Sequence, residues 1–382
     1  MIPYSKQTID EDDIQSVVDA LRSSHLTQGS RVHDFEQAIC ELTTANYAVA
    51  VNSGTSALHI ACLALEVGPQ DCVWTSPLSF VASSNCALYC GASIDFIDVE
   101  IKTGNIDLNV LADKLAIAKV NNTLPKVIIP VHLCGLPCDL EKLRALSIQY
   151  GFKIIEDACH ALGAIYKGSP IGSELYSDIS VFSFHAVKNI TTAEGGIAVT
   201  SDSGIADKIR LISSHGITKY PDSFINENQG QWYHEQQLLG FNYRMNELNA
   251  ALGLSQLNKF SNFQIKRQRA VDYYKNELVN VCDWLGNDDP IFISANHLFI
   301  IQVDSKKRKS LFERLRNNNV WVQLHYMNIA SQPFYQKLGF DAQDYPITNH
   351  VSAQSISLPL YPNITTDEQN IVVALIKEEL RK

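Results

Sequence analysis

The chain has 382 residues, 31 Lys and Arg against 41 Asp and Glu for a formal charge of −10, with 46% hydrophobic and 19% charged residues. At about 150 residues per domain this is room for two or three domains with sizeable cores, and the acidic balance argues against a nucleic-acid partner. No apolar run approaches the ~18 residues of a membrane span, and the opening MIPYSKQTIDEDD has no signal-peptide core, so a cytoplasmic protein without a membrane partner is expected.

Residues 8–22 read as a helix, with capping-box spacing at Thr8 and Glu11 and one apolar face of Ile14, Val17, Val18 and Leu21. A second helix is predicted over 32–42. AVAV (48–51) then reads as a buried strand, NSGT as a turn and 56–65 as a helix. Short apolar strands follow at 72–75, 93–99, 126–131, 153–156, 179–182 and 197–200, with helices between them at 81–89 and 140–150. This alternation predicts an α/β fold with a mostly parallel sheet covered by helices on both faces. Past Gly253 a long polar helix (254–278) leads to a strand at 298–303 and helices at 307–317 and 366–380. The division expected is 1–253 for a large α/β domain and 254–382 for the linking helix and a smaller α+β domain, with residues 1–30 packing on the latter. KKRK (306–309) reads as a solvated helix face.

Nine cysteines without a CxxC read as reduced thiols. The C-x3-C pairs Cys86/Cys90 and Cys134/Cys138, the second near His132, lack the matching pair of a zinc site, so no metal is expected. An α/β enzyme places its chemistry where strands end. After AVAV come Ser53, Gly54, Thr55 and Ser56, either a phosphate cradle at a helix N-terminus or simply a capped turn. After KIIE come Asp157 and His160, where Asp157 either meets a cationic partner or caps a helix. After ISVFSF come Ser183, His185 and Lys188, the last either a desolvated nucleophile or a loop lysine. Together, in one α/β domain, these are the parts pyridoxal phosphate requires: a lysine for the Schiff base, a carboxylate for the ring nitrogen and phosphate donors. Walker and GxGxxG patterns are absent, which disfavours nucleotide hydrolysis and nicotinamide chemistry.

NSGTSAL, PLSFVASSN, EDACHALGA, VFSFHAVKNITTAEGGIAVT, SSHG and GFNYRMNELNAALGLSQL run through the chain. On these motifs the sequence resembles the DegT/DnrJ/EryC1/StrS sugar aminotransferases. It comes closest, through LTQG, GNID and LHY, to those of the pseudaminic-acid pathway; FSFHAVKN is also similar to enzymes making UDP-4-amino-4-deoxy-L-arabinose. The resemblance implies fold-type I, the aspartate aminotransferase-like architecture of a large mostly parallel mixed sheet sandwiched by helices plus a smaller C-terminal α+β domain. It implies pyridoxal 5′-phosphate as cofactor and Lys188 as the catalytic Schiff-base lysine. Asp157 takes the ring nitrogen, Phe80 stacks on the ring, Gly54, Thr55, Ser56 and Ser183 meet phosphate or ring, and His160 lies close by. Asn242 reaches the other subunit's cofactor, which implies a homodimer with shared sites. Tyr4, Ser24, His25, Leu26, Thr27, Leu324, His325, Tyr326 and Met327 match substrate-contact segments, and Gly54, Ser183 and Asn242 serve substrate too. The implied partners are a nucleotide 4-keto sugar and L-glutamate. His25, and Met327-Asn328 where the family's usual pair is Lys-Pro, depart from that pattern. Related sugar dehydratases carry His where this chain has Lys188, which favours amino transfer. A non-catalytic regulator on the same fold would not need the Asp157, Ser183 and Lys188 set.

Overall fold

The computed structural model describes residues 1–381. Helices α1 (Glu11–Arg22) and α2 (Ser30–Thr43) precede β1 (Tyr47–Val51) and α3 (Gly54–Ala64). The βα alternation continues through β2 (Cys72–Thr75), α4 (Ala82–Tyr89), β3 (Ser93–Phe96), α5 (Leu108–Asn121), β4 (Val127–Ile129), α6 (Leu140–Tyr150) and β5 (Lys153–Asp157). Two-residue strands β6 (Ile165–Tyr166) and β7 (Ser169–Pro170) lead to β8 (Ile179–Ser183), β9 (Gly196–Thr200) and α7 (Ser203–Ser213). The segment predicted as a polar loop, 216–237, is pinned at its ends by β10 (Ile217–Thr218) and β11 (Glu235–Gln236).

The seven-stranded sheet has the order β1-β9-β8-β5-β4-β2-β3, and only β9 pairs antiparallel with its neighbours. Six strands therefore end at one edge, which collects the loops after β1, β2, β5 and β8. The strands are buried on both faces, as their continuous apolar runs require: one core holds Ile128, Ile154, Phe182 and Val199, the other Val49, Ile129, Ile155 and Ala198.

Close backbone packing joins β1 to β9. A Cβ on Gly196 would lie 2.4 Å from the carbonyl carbon of Ser53 and 2.5 Å from the amide nitrogen of Gly54. Both are backbone atoms that cannot rotate away. Gly196→Ala is expected to destabilise the protein by about 2 kcal/mol, the usual scale of overpacking, seen as a lowered urea midpoint. An unchanged midpoint would show that the β1 turn yields easily.

The linking helix α8 (Glu247–Leu278) starts seven residues before the predicted 254, because Asn246 caps it by accepting from the Asn249 N–H. It runs through Gly253, where a Cβ would meet the Phe35 ring at 2.7 Å. Beyond it lie β12 (Asp283–Trp284), β13 (Phe292–Ile293), β14 (Phe299–Gln302), α9 (Ser305–Asn317), α10 (Pro333–Lys337), α11 (Pro346–Gln354), β15 (Ser355–Leu358) and α12 (Thr366–Leu380). The sheet β12-β14-β15 has its own core with Tyr274, Leu311, Leu315, Val372 and Ile376. The chain's first residues join it: Ile2 exchanges backbone bonds with Asn319 and Trp321.

α1 corrects two expectations. Its capping box uses Asp10 and Asp13, not Thr8 and Glu11. The Ile14 and Leu21 side chains face outward, and the helix docks on α8 through Asp13 and Ala20. The physical reason lies on α8, which presents Ser255 and Gln256 to the buried Asp13 carboxylate at 2.7 and 2.9 Å, with Lys259 at 2.6 Å. The strand expected over 93–99 is four residues long, Ser93–Phe96.

Candidate active site

The site sits at the strand-end edge. At β1, Ser53 caps α3 by accepting the Ser56 N–H at 3.1 Å. This leaves the N–H groups of the helix's first residues facing outward, where helix geometry gives them no internal partner. A Cβ on Gly54 would stand 2.9 Å from the Ser183 Cβ and 3.3 Å from the Cys159 sulfur. Glycine at this position is what allows the α3 N-terminus to lie against β8 and the turn after β5. The result is a helix N-terminus held beside Ser183, a setting suited to phosphate.

Asp157 ends β5 and is buried, so it needs hydrogen bonds. The Ser83 hydroxyl donates to one carboxylate oxygen at 2.6 Å, and the Cys159 N–H donates to the other at 3.2 Å. The Ser79 and Ser83 hydroxyls bond each other at 2.7 Å. Lone pairs remain on the carboxylate for a further donor. Phe80, at the entrance to α4, is 57% exposed, with its ring centroid 6.3 Å from that of Tyr326. An apolar ring held outward beside a polar site is a surface for another flat ring.

Lys188 is partly buried. Burial lowers the pKa of its amine, although the Cys159 and Asp157 charges oppose the shift. The net effect is a larger neutral fraction, the nucleophilic form. Its positive charge in turn acts on three histidines. Burial, followed by that charge, holds His160 well below the ordinary imidazole range and brings His325 to about 4. His297 is lowered by burial, then by His160 and Lys188. All three are thus neutral at physiological pH.

These histidines form a wall beside Lys188. His160 Nε2 is 3.2 Å from the Tyr326 hydroxyl, and its ring lies 4.4 Å from that of His297. His297 Nδ1 bonds the Asn189 side chain at 3.1 Å, and the Asn189 amide also donates to the Ala295 carbonyl at 2.9 Å. The residue after Lys188 is thereby fixed. Ser5 donates to the Val187 carbonyl at 3.2 Å, tying the N-terminal segment to the residue before it. The His325 ring lies 5.6 Å from that of Tyr4, and its Nδ1 bonds Ser357 at 2.8 Å.

The fold thus gathers Gly54, Ser56, Phe80, Asp157, His160, Ser183 and Lys188, with Tyr4, His325 and Tyr326 at the rim. Thr55 is half-buried in the first turn of α3, and Leu324 and Met327 flank the His325-Tyr326 pair, Met327 being exposed. Other predicted residues stand apart. Ser24 bonds His25 at 2.9 Å, the Leu26 carbonyl accepts from the Glu247 N–H, and Ser24, His25, Leu26 and Thr27 are exposed at the start of α8. Asn242 is exposed and bridges Ser214, while its neighbour Tyr243 accepts from the Asn52 N–H. Ser83, Cys159, Asn189 and His297 are site residues that sequence reading left unassigned. Ser83 could have been found from its place three residues past Phe80 at a helix start; His297 has no local signal.

The cysteine pairs have other partners. His132 uses Nε2 on Glu156 at 2.7 Å and accepts the Cys138 N–H on Nδ1 at 3.0 Å. Among the described residues no group of three or more His, Cys, Asp or Glu is arranged to hold a metal, and no helix is long and apolar enough to cross a membrane.

The residues fit pyridoxal phosphate on geometry. There is a glycine-dependent cradle for phosphate, a buried carboxylate with spare lone pairs, an outward aromatic ring and a desolvated amine. In addition, the buried His160 Nδ1 has no protein partner and is available to a bound ring.

The chain is 35% identical over 386 residues to the spore coat polysaccharide biosynthesis protein SpsC of Bacillus subtilis, covering 99% of this chain and 96% of that one. Helicobacter pylori PseC, an aminotransferase involved in the biosynthesis of pseudaminic acid, is similar at 30% identity and TM-score 0.89, over 100% of this chain and 99% of that one. Streptococcus pneumoniae Spr1654 in its PMP form matches at 28% identity and TM-score 0.91, again over 100% and 99%, and has also been solved in a PLP form. The fold is fold-type I, and the cofactor is pyridoxal phosphate. The DegT/DnrJ/EryC1/StrS aminotransferase model matches residues 7–377, and the chain belongs to that family.

Proposed function

We propose that the protein transfers the amino group of L-glutamate to C4 of a nucleotide-linked 4-keto-6-deoxy sugar. The substrate would be UDP-2-acetamido-2,6-dideoxy-β-L-arabino-hex-4-ulose and the product UDP-4-amino-4,6-dideoxy-N-acetyl-β-L-altrosamine. The observation that carries the reaction class is the Lys188 amine, desolvated beside Asp157 and walled by neutral histidines. The likeness to PseC supports the sugar.

Bound pyridoxal phosphate supplies an electron sink for a carbanion next to nitrogen. Lys188 would anchor the cofactor, then take the α-proton of glutamate and return a proton at the cofactor's C4′ carbon. In the second half it would run the same transfer in reverse on the sugar. Asp157, fixed by Ser83 and the Cys159 N–H, would hold the proton on the ring nitrogen. The α3 N-terminus and Ser183 would take the phosphate, and Phe80 would cover a ring face.

We further propose a homodimer in which Asn242 serves the partner's site; its exposure supports this. Nine free cysteines support a reducing, cytoplasmic setting. The test is a half-reaction. Protein loaded with pyridoxamine phosphate is offered a panel of nucleotide 4-keto sugars, and return of visible absorption is followed. Recovery with the N-acetylated UDP sugar, and at least about tenfold more slowly with UDP-4-keto-arabinose, is the expected result, since lost polar contacts discriminate on that scale or more. Equal or faster recovery with UDP-4-keto-arabinose would overturn the sugar assignment.

A further inference from the structure

The turn that carries Lys188 is tied down on both sides of the lysine. Ser5 holds the Val187 carbonyl from the N-terminal segment, and His297 holds the Asn189 side chain from the segment before β14. The second tie is buried, and its direction can be worked out. The Asn189 Nδ2 lies 2.9 Å from the Ala295 carbonyl oxygen and 3.5 Å from that of Leu162. Carbonyls only accept, so the amide nitrogen faces them and the amide oxygen faces His297. That oxygen also only accepts, and it lies 3.1 Å from His297 Nδ1. The Nδ1 atom therefore carries a proton and donates it to Asn189, whatever the charge on the ring.

The backbone on which His297 stands is itself held from two directions. Its N–H donates to the Cys134 carbonyl at 2.9 Å, and the Ala295 N–H donates to the Gly135 carbonyl at 2.9 Å. The turn that accepts them is tightly packed: a Cβ on Gly135 would lie 2.6 Å from the His160 carbonyl oxygen and 3.0 Å from the Ala295 Cβ. From α8, the buried Arg267 guanidinium reaches the Asn296 and His297 carbonyls at 3.4 and 3.3 Å, and the Leu360 carbonyl at 3.3 Å. His297 is thus a rigid donor from the far side of the linking helix, aimed at the residue next to Lys188.

We propose that His297 is a positioning residue for amino transfer, which through Asn189 fixes the turn from which the Lys188 amine reaches the reacting atoms. This rests on the reading of Lys188 as the cofactor's anchor and proton carrier. A lysine amine sits on a flexible four-carbon stem, so its aim depends on how firmly its backbone is held. Proton transfers at more than one atom make that aim matter, because small misplacements are costly in rate. The role asks nothing of the imidazole's acid–base chemistry. It asks only for the Nδ1 donor.

The test is a single-turnover glutamate half-reaction with cofactor-loaded protein, read as bleaching of visible absorption at saturating glutamate. His297→Leu and Asn189→Ala should each slow it about 10- to 100-fold, with half-saturating glutamate within a few-fold. The double variant should be no slower than about twofold beyond the slower single one, because both changes remove the same link. His297→Gln, whose amide can donate to Asn189, should bleach several-fold faster than His297→Leu. A readout without substrate is the rate at which apoprotein mixed with pyridoxal phosphate develops visible absorption, which should fall by a similar factor in His297→Leu. Urea midpoints separate these effects from a role in stability alone, which would lower the midpoint without slowing the folded enzyme. Unslowed bleaching in the single variants, losses that multiply in the double variant, or His297→Gln as slow as His297→Leu would overturn the proposal. Where His297→Leu does not fold, Asn189→Ala decides, and a full rate there overturns it. Borohydride reduction of the loaded, unsubstituted protein with peptide mapping keeps the two readings apart. Cofactor on another lysine removes the anchor role of Lys188 and the proposal with it, whereas cofactor on Lys188 with an unslowed Asn189→Ala removes the proposal alone.

Discussion

Lys188→Arg is expected to lower turnover by about three orders of magnitude or more while the protein still folds, since loss of a positioned proton-transfer group alone costs about 10²–10⁴-fold. The substitution keeps the charge and much of the length, so it isolates the chemistry. Guanidinium cannot give up a proton in this environment and so can be neither nucleophile nor base. The native site raises the neutral fraction of the amine, because burial lowers the Lys188 pKa even against the Asp157 and Cys159 charges. A permanent cation there would be desolvated with no means of neutralising itself. The glutamate half-reaction, followed as bleaching of visible absorption, should be absent, and near-normal bleaching would remove Lys188 from the mechanism. Far-ultraviolet circular dichroism separates this outcome from misfolding.

Much of this site is legible in the sequence because the physics that builds it is local. A buried parallel strand is a short apolar run, and the sheet's edge is wherever the run stops. Asp157, Ser183 and the Ser53–Ser56 turn could be placed by following AVAV, KIIE and ISVFSF to their ends. What is not legible depends on a second element's surface. The stripe of Ile14, Val17, Val18 and Leu21 has helical period and reads as a core face. α1 nevertheless docks by its Asp13, because α8 offers three polar groups at that point. His297 is similarly silent in sequence. It reaches the site from the segment before β14 and matters through Asn189, a contact that only the folded chain creates. The Asn246 cap that starts α8 early was readable in principle, since Asn is a strong N-cap residue.

Asp157→Asn is expected to reduce kcat by about 10²–10³-fold, the cost of losing one preorganised electrostatic contact to the reacting system. The amide fits the same space and can still accept the Ser83 hydroxyl, which donates to the native carboxylate at 2.6 Å. What it lacks is the negative charge that would favour a proton on the ring nitrogen, so electron withdrawal through the ring weakens while binding persists. The loss should therefore fall on both half-reactions alike and leave the KM for glutamate within a few-fold. Ser83→Ala provides the graded comparison. It removes one charge-assisted hydrogen bond and loosens the carboxylate without discharging it, which corresponds to about tenfold in rate. The cofactor's absorption spectrum distinguishes the two variants, because its maximum follows ring-nitrogen protonation. It should shift in Asp157→Asn and stay in place in Ser83→Ala. An unshifted spectrum with unimpaired turnover in Asp157→Asn would mean that this carboxylate serves the fold alone.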